Sequence, residues 1–231
     1  MMKHKALFNL KEMILEQFFP VTCPFCGKVI SFRQDCCDDC RSRLSPLQDC
    51  CPKCGKRKCI CERFAAIDCL MAPFPYDKLS EKAIHRFKFG GHSEYARPLA
   101  GFMSACFFSC GTARYDFIVY VPMERAKYRK RGYNQARELA KELSRLTGIP
   151  LLEKVLVKAK KTELQHLLTL EERKENLKEA YTVKRPEKLI GKCFLLCDDV
   201  CTTGMTMEAC AKVLKESGAK TVEGISFAST Q

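Results

Sequence analysis

The sequence predicts an α/β protein in which helices flank a mainly parallel β-sheet, with a small cysteine-rich module in front of it. Three observations lead to this fold class. Strand-like and helix-like segments alternate from about residue 64 onward, which is the pattern of βαβ units. Ten of the 17 cysteines lie between Cys23 and Cys61. Hydrophobic residues make up 46% of the 231-residue chain, enough to bury a core and to exclude wholesale disorder.

Composition also limits the surroundings in which the chain works. The longest dense apolar patch, residues 101–110, is too short to cross a bilayer, and the N-terminus lacks the pattern of a secretory signal. We therefore expect no transmembrane segment and a cytoplasmic location. The formal net charge of +13 favours polyanionic partners, either nucleic acid or phosphorylated metabolites.

The first region, residues 1–20, is predicted to be an amphipathic helix. Leu7, Leu10, Ile14 and Phe18 fall on one stripe at helical spacing, and Pro20 ends the pattern. We expect this stripe to pack on its own domain. Docking on a partner protein or on a membrane surface is the alternative.

The second region, residues 21–63, is predicted to be a zinc module. In a reducing compartment, cysteines at this density favour metal sites over disulfides. They recur as CxxC pairs, a spacing that brings two thiolates to one tetrahedral ion, and Gly27 allows the turn of the first pair. Closed four-thiolate sites are structural, so this zinc should hold the segment folded. The eight candidate ligands are Cys23, Cys26, Cys37, Cys40, Cys51, Cys54, Cys59 and Cys61.

Two features of this module stay open. Cys36 and Cys50 each stand next to a proposed ligand, and the sequence does not decide which neighbour binds. The Cys59-Ile-Cys61 closure is less regular than CxxC, and ligands could also be shared between the pairs. The prediction is therefore one or two structural zinc ions.

The third region, residues 64–231, contains the elements of the predicted sheet. Apolar runs predict strands at Asp116–Val121, Lys192–Cys197 and Thr221–Ala228. Helical spacing predicts helices at Tyr133–Leu146 and Thr206–Ser217.

A second motif follows the Lys192–Cys197 strand. Asp198 and Asp199 should reach the carboxyl edge of the sheet, where open α/β folds bind ligands, and can accept hydrogen bonds from two vicinal sugar hydroxyls. The next residues offer hydroxyls and backbone N–H groups at a helix N-terminus, which suits a phosphate. The candidate phosphate-binding residues are Thr202, Thr203, Gly204 and Thr206. Together these groups describe a site for a ribose 5-phosphate.

A strongly basic segment follows the first of these strands. Residues 124–137 contain six basic side chains, and we expect a loop here that binds a second anion, a pyrophosphate, through Arg129 and Arg131. A solvated loop is one alternative. Another is a nucleic-acid contact in which Tyr128 and Tyr133 stack on bases.

These motifs resemble known proteins in two ways, first a broad class of enzymes and then a narrower family. The segment from Cys193 to Thr206 resembles the phosphoribosyl pyrophosphate (PRPP) motif of type I phosphoribosyltransferases. Residues 158–176 resemble the flexible hood of that fold, which closes over the substrate. The hood has lysines at positions 158, 160 and 161 where arginines are expected. Because lysine cannot bind a phosphate in a bidentate manner as arginine does, the case for such binding by Lys158, Lys160 and Lys161 is weaker. With the cysteine pairs, the RGYNQA segment and residues 84–91, the chain is similar to the ComF family of competence-associated proteins over residues 21–229.

The resemblance implies a double zinc ribbon, a phosphoribosyltransferase-like domain and a role in uptake of single-stranded DNA. Expected ligands and partners are PRPP or a related sugar phosphate with Mg²⁺, single-stranded DNA, competence-machinery proteins and a second copy of the chain. In an enzyme, Asp198 and Asp199 would position the ribose while Arg129 and Arg131 stabilise the leaving pyrophosphate. The alternative function is a phosphoribosyltransferase of nucleotide salvage or synthesis whose acceptor the sequence does not identify.

Overall fold

The computed structural model describes residues 20–31, 34–47, 51, 61–110, 114–158 and 180–230. The predicted N-terminal helix, the ligands Cys54 and Cys59 and nearly all of the predicted hood lie outside this part of the chain. Within it, no helix combines the length and the apolar character needed to cross a membrane.

The predicted parallel sheet is confirmed. Its central strands are β7 (Thr221–Ser229) and β6 (Cys193–Cys201), which pair in parallel from Cys193↔Thr221 onward. On the far side of β6 lies β3 (Phe117–Tyr120), and on the far side of β7 lie β1 (Cys69–Met71) and β2 (Phe74–Pro75). All these pairs are parallel, so the carboxyl ends of β3, β6 and β7 meet at one edge.

Helices cover both faces of this sheet, as expected of an α/β fold. Along β6, Leu195 and Cys197 belong to the core beneath two packed helices, whereas Phe194 and Leu196 belong to the core on the opposite face. The alternation follows from the two-residue period of a strand. The helices are α1 (Asp38–Arg41), α2 (Lys78–Phe89), α3 (Ala96–Cys110), α4 (Arg125–Arg131), α5 (Gln135–Thr147) and α6 (Met205–Glu216). A separate antiparallel ribbon is formed by β4 (Leu156–Lys158) and β5 (Tyr181–Val183).

Two elements differ from the sequence prediction. The basic segment expected to be a loop is the helix α4, because alanine, lysine and arginine are strong helix formers and Gly132 ends the helix in a left-handed conformation. Strand β6 also runs four residues past its predicted end at Cys197, since the ladder with β7 continues to Cys201. The carboxylate pair therefore lies within the strand.

The cysteine-rich segment is packed into the main core. Phe25 is 1% exposed, and its ring lies 6.1 Å from that of Phe102 on α3 and 6.2 Å from that of Phe227 on β7. The hydroxyls of Thr22 and Tyr95 are 2.6 Å apart. This segment thus buries apolar surface against the sheet domain as well as offering thiols.

Candidate functional site

The two adjacent carboxylates lie at the carboxyl edge of the sheet. Asp199 is buried at 8% exposure, and its backbone amide donates to Asp198 Oδ1 at 2.8 Å. Burial, followed by the charge of Asp199, raises the pKa of Asp198 to about 8. The pair is therefore an oxygen-rich patch in which Asp198 holds its proton more tightly than an ordinary carboxyl does.

Lys88 forms an ion pair with one of these two carboxylates. Its Nζ lies 2.9 Å from Asp199 Oδ1, and its side chain is 23% exposed. Sequence reasoning missed this residue as part of the site. The available signal was its position in residues 84–91, a segment resembling the ComF family but without an assigned role.

The predicted phosphate loop follows β6 directly. Thr202 and Thr203 are exposed, and Gly204 precedes the first residue of α6, so the N-terminus of this helix adjoins the loop. The Met205 amide donates to Thr203 Oγ1 at 3.4 Å. Gly204 has φ of 76°, and a Cβ at this position would lie 2.3 Å from the Phe64 ring. The loop thus fits only because residue 204 has no side chain.

Glu208 fixes the floor of the loop. Its Oε1 accepts the amides of Ala65 and Ala66, both at 2.8 Å, and its Oε2 accepts that of Ile67 at 3.0 Å. These bonds hold Phe64 and its neighbours against the first turn of α6. No sequence motif indicated this role for Glu208.

Replacing Gly204 with alanine should disrupt the loop. We expect a loss of about 2–4 kcal/mol in the free energy of unfolding, since the left-handed backbone and the contact with Phe64 both oppose a methyl group. Gly148→Ala is the matched control: its φ is 77°, and nothing lies within 4 Å of its added Cβ. Equal losses in urea unfolding would show that Phe64 does not constrain the loop.

The two candidate arginines lie on different sides of α4. Residues two apart in a helix are separated by about 200° around its axis. Arg131 lies with its guanidinium 4.8 Å from the Phe89 ring centre and donates to Gln135 Oε1 at 3.1 Å. Arg129 instead lines a cleft between α4 and the β4–β5 ribbon. The structure therefore does not bring the two predicted arginine side chains together at one point.

The cleft beside Arg129 is strongly basic. Its volume is about 870 Å³, within the range of small-molecule sites. Its acidic residue, Glu153, is paired with Arg137 at 2.6 Å. The remaining charged residues around it are Arg125, Arg129, Lys154, Lys158 and Lys184.

The ribbon at the base of the predicted hood also reaches the site. Burial raises the pKa of Tyr181 on β5, whose surroundings include Thr206 and Asp198. Lys158 Nζ lies 5.9 Å from the centre of the Tyr181 ring. Lys160, Lys161 and the rest of the hood lie outside the described residues.

A four-cysteine cluster lies in the N-terminal segment, as predicted. The sulfurs of Cys23, Cys26, Cys37 and Cys40 are all within 4.8 Å of one another. A tetrahedral zinc with bonds of about 2.3 Å requires sulfurs about 3.8 Å apart, and those of Cys26 and Cys37 are 3.6 Å apart. The donor set and its spacing fit zinc.

The cluster also resolves one ambiguity of the sequence. Cys37 is a member, whereas its neighbour Cys36 is fully buried outside the cluster, and burial raises the pKa of the Cys36 thiol to about 11. The backbone amide of Cys40 lowers the pKa of the Cys37 thiol. The φ of 82° at Gly27 closes the turn after Cys26, as the motif requires.

The second zinc site is seen in part. Cys51 and Cys61 have their sulfurs 3.4 Å apart, a separation compatible with two ligands of one ion. Their proposed partners, Cys54 and Cys59, lie outside the described residues, as does Cys50. The second site therefore stays a prediction.

Comparison with known proteins adds independent observations. Residues 129–229 match the family model described as phosphoribosyl transferase domain. The chain is 31% identical over 168 residues to DNA utilization protein YhgH of Shigella flexneri, covering 67% of this chain and 73% of that protein. Competence protein F of Haemophilus influenzae is 33% identical over 109 residues, covering 47% and 48%. Competence protein ComFC of Bacillus subtilis is 28% identical over 204 residues, covering 85% and 72%.

A solved structure is also similar. Glutamine PRPP amidotransferase from B. subtilis, complexed with ADP and GMP, matches with 21% identity and a TM-score of 0.39. The match covers 56% of this chain and 26% of that longer chain. The DNA utilization protein and the two competence proteins confirm the resemblance found in the sequence, since the first of them is 31% identical and is covered over 73% of its length. The chain belongs to the ComF family.

Proposed function

We propose that the chain binds PRPP or a related sugar phosphate at the carboxyl edge of its sheet. The observation that supports this best is the convergence of three groups there: the Asp198–Asp199 pair, the loop Thr202–Thr206 at the start of α6, and the basic residues of α4. A site for PRPP requires acceptors for two ribose hydroxyls, donors for the 5′-phosphate and cations for the pyrophosphate, and these three groups match those requirements in that order.

Each part of the ligand has a proposed partner. The 5′-phosphate lies on Thr202, Thr203, Gly204 and Thr206, where amides and hydroxyls donate to its oxygens. The ribose hydroxyls donate to Asp198 and Asp199. The pyrophosphate is assigned to Arg129 and Arg131, whose guanidinium groups can each donate two hydrogen bonds to phosphate oxygens. Because the two lie on different sides of α4, at least one side chain must reorient for both to contact the same anion.

Mg²⁺ fits this site through the chemistry of its surroundings. Burial, followed by the charge of Asp199, disfavours ionisation of Asp198 and so raises its pKa, and a further cation beside the pair would favour the ionised form. Mg²⁺ prefers oxygen ligands, and pyrophosphate and ribose oxygens would supply them beside the carboxylates. When bound, it would neutralise charge on the pyrophosphate as that group leaves.

If the chain is an enzyme, its own residues act mainly by positioning. Asp198 and Asp199 orient the ribose and place negative charge near the anomeric carbon, where positive charge develops as the pyrophosphate departs. Arg129 and Arg131 stabilise the departing anion. An acceptor then forms the new bond at that carbon. In this form the protein is a phosphoribosyltransferase of nucleotide salvage or synthesis.

We further propose that the site operates in handling of single-stranded DNA in the cytoplasm. The support is that its relatives are named as a DNA utilization protein and as competence proteins, together with the net charge of +13. Two exposed aromatic rings lie near basic residues, Phe89 beside Arg131 and Tyr128 within α4, and we propose that they stack on bases. Competence-machinery proteins and a second copy of the chain are further proposed partners.

Calorimetric titration with PRPP and Mg²⁺ tests the ligand. Wild-type protein should bind, and Arg131→Ala should bind at least tenfold more weakly because a charged contact contributes about 1.5–3 kcal/mol. Arg145→Ala, on α5 away from the sheet edge, is the matched control. A wild-type protein that binds no PRPP would refute the sugar-phosphate site.

Titration with a single-stranded oligonucleotide separates the two biological roles. A DNA-handling protein should bind it with an affinity that falls steeply with salt, by a logarithmic slope of about −0.7 for each neutralised phosphate. PRPP binding without oligonucleotide binding would favour the salvage or synthesis enzyme instead.

A further inference from the structure

The last turn of α2 contacts three separate parts of the molecule through four consecutive residues. Arg86 Nη2 donates to the carbonyl of Cys26 at 3.2 Å, and the Phe87 carbonyl accepts from the Tyr133 hydroxyl. Lys88 pairs with Asp199, and Phe89 lies beneath Arg131. One helical turn therefore joins the four-cysteine cluster, the RGYNQA segment and the carboxylate pair.

This turn is held as a rigid unit. Phe87 is fully buried and Ile84 is 2% exposed, so the inner face of α2 is fixed in the core. At the other end of the helix, Asp77 accepts the amides of Leu79 and Ser80, each at 2.9 Å. A shift at Arg86 must therefore move Lys88 with it, because residues two apart in an α-helix are only about 3 Å apart along its axis.

The Arg86 contact is made to a metal-binding segment. Cys26 belongs to the four-cysteine cluster, and the guanidinium lies so close to Gly27 that an added Cβ would come within 2.6 Å of Nη1. With the thiols held on one ion, the carbonyl that Arg86 binds has a fixed position. Release of the ion removes that restraint, since the four sulfurs then have no common partner.

We infer that Lys88 is a positioning residue of the sugar-phosphate site, and that the last turn of α2 ties its position to metal in the four-cysteine cluster. The inference rests on the proposed function. Lys88 holds Asp199 in place for the ribose, since its partly exposed ammonium lies 2.9 Å from Oδ1 of this buried carboxylate. Metal and sugar phosphate then stabilise the same arrangement of α2, so each raises the affinity of the protein for the other, and we expect this to appear as slower loss of zinc when PRPP is bound.

The first experiment measures PRPP affinity in zinc-loaded protein. Lys88→Met should weaken binding about 10–100-fold, Lys88→Arg should restore most of it, and Arg86→Met, which touches no ligand, should weaken it about threefold or more. Lys82→Met is the matched control, exposed on the same helix, and should leave the affinity unchanged. Failure of arginine to rescue, or full affinity in Lys88→Met or Arg86→Met, would overturn the inference.

The second experiment follows zinc release to a chromophoric chelator. Saturating PRPP should slow release from wild-type protein, and this protection should disappear in Arg86→Met, which keeps all four cysteines. Equal protection in both proteins would overturn the coupling.

Hydrogen exchange distinguishes failure of the coupling from failure of the proposed ligand. Without any PRPP, Arg86→Met should raise amide exchange at residues 84–91 relative to Lys82→Met. Raised exchange in a protein that binds no PRPP would refute the sugar-phosphate site while retaining the link from the cluster to Lys88. Unchanged exchange would refute the link itself.

Discussion

Asp198→Asn is expected to abolish PRPP binding and, at the same time, to make the protein more stable at neutral pH. Binding falls at least about 100-fold because the bound ligand requires Asp198 in its ionised form, which asparagine cannot adopt, and hydrogen bonds to charged groups contribute about 1.5–3 kcal/mol each. The fold is retained, since asparagine can still accept the Asp199 amide that Asp198 accepts at 2.8 Å. Calorimetric titration and thermal unfolding measure the two effects.

The gain in stability should depend on pH in a defined direction. Burial, followed by the charge of Asp199, raises the pKa of Asp198 to about 8, while Lys88 opposes the shift; the Cys197 and Cys210 thiols and Tyr181 also lie near this group. A raised folded-state pKa contributes stability below the unfolded value near 4, and that stability is lost as pH rises toward 8. The substitution removes this loss, so its advantage should grow from pH 5 to pH 8.

We expect a gain of about 2 kcal/mol at pH 7, or about 5 °C in the unfolding midpoint for a chain of this size. Asp199→Asn is the matched control. It should also lose PRPP binding but lack the stability gain, because it gives up the ion pair with Lys88. A pH-independent effect of Asp198→Asn would show that its carboxyl is not held in the neutral form.

Cys37→Ser is expected to lose the metal and to destabilise the whole chain, whereas Cys36→Ser should keep the metal. The two residues are adjacent, but only Cys37 belongs to the four-sulfur cluster. Apparent zinc-binding free energies of structural sites are about 10–16 kcal/mol, so losing a ligand should cost several kcal/mol. Zinc content by mass spectrometry and thermal unfolding make the comparison.

The unfolding profile of Cys37→Ser gives a further test. Because Phe25 packs on Phe102 and Phe227, release of the metal segment should lower the midpoint of the main transition and should not produce a separate early one. Loss of zinc with an unchanged main transition would mean that the segment contributes nothing to the central core. Zinc loss in Cys36→Ser would reassign the ligand.

Local patterns in the sequence identified the sheet and much of the candidate site. Apolar runs located β3, β6 and β7, and the CxxC spacing located the cysteines of the cluster, because each of these signals lies within a few neighbouring residues. Lys88 and Glu208 were missed because their partners, Asp199 and the amides of residues 65–67, lie far away in the chain. Such contacts depend on how α2 and α6 pack, which no local pattern encodes.

The packing of the cysteine-rich segment against the sheet was not predicted from the sequence. The segment contains few apolar residues, but Phe25 and Ile30 are buried, and the position of a few large side chains mattered more than their number. The helix α4 was missed because it lacks apolar periodicity. Its residues favour a helix, yet none of them is buried.

The contact of Phe64 with Gly204 limits how this protein can be divided or recombined. Phe64 and the amides that Glu208 accepts come from the stretch joining the cysteine-rich segment to β1, so the ligand loop is completed by residues from outside the sheet. A sheet domain that began at β1 would lack Phe64 and the three backbone amides that pack against the loop after β6. The two halves therefore cannot be exchanged with those of a relative as independent modules, and changes on one side of the junction must suit the other.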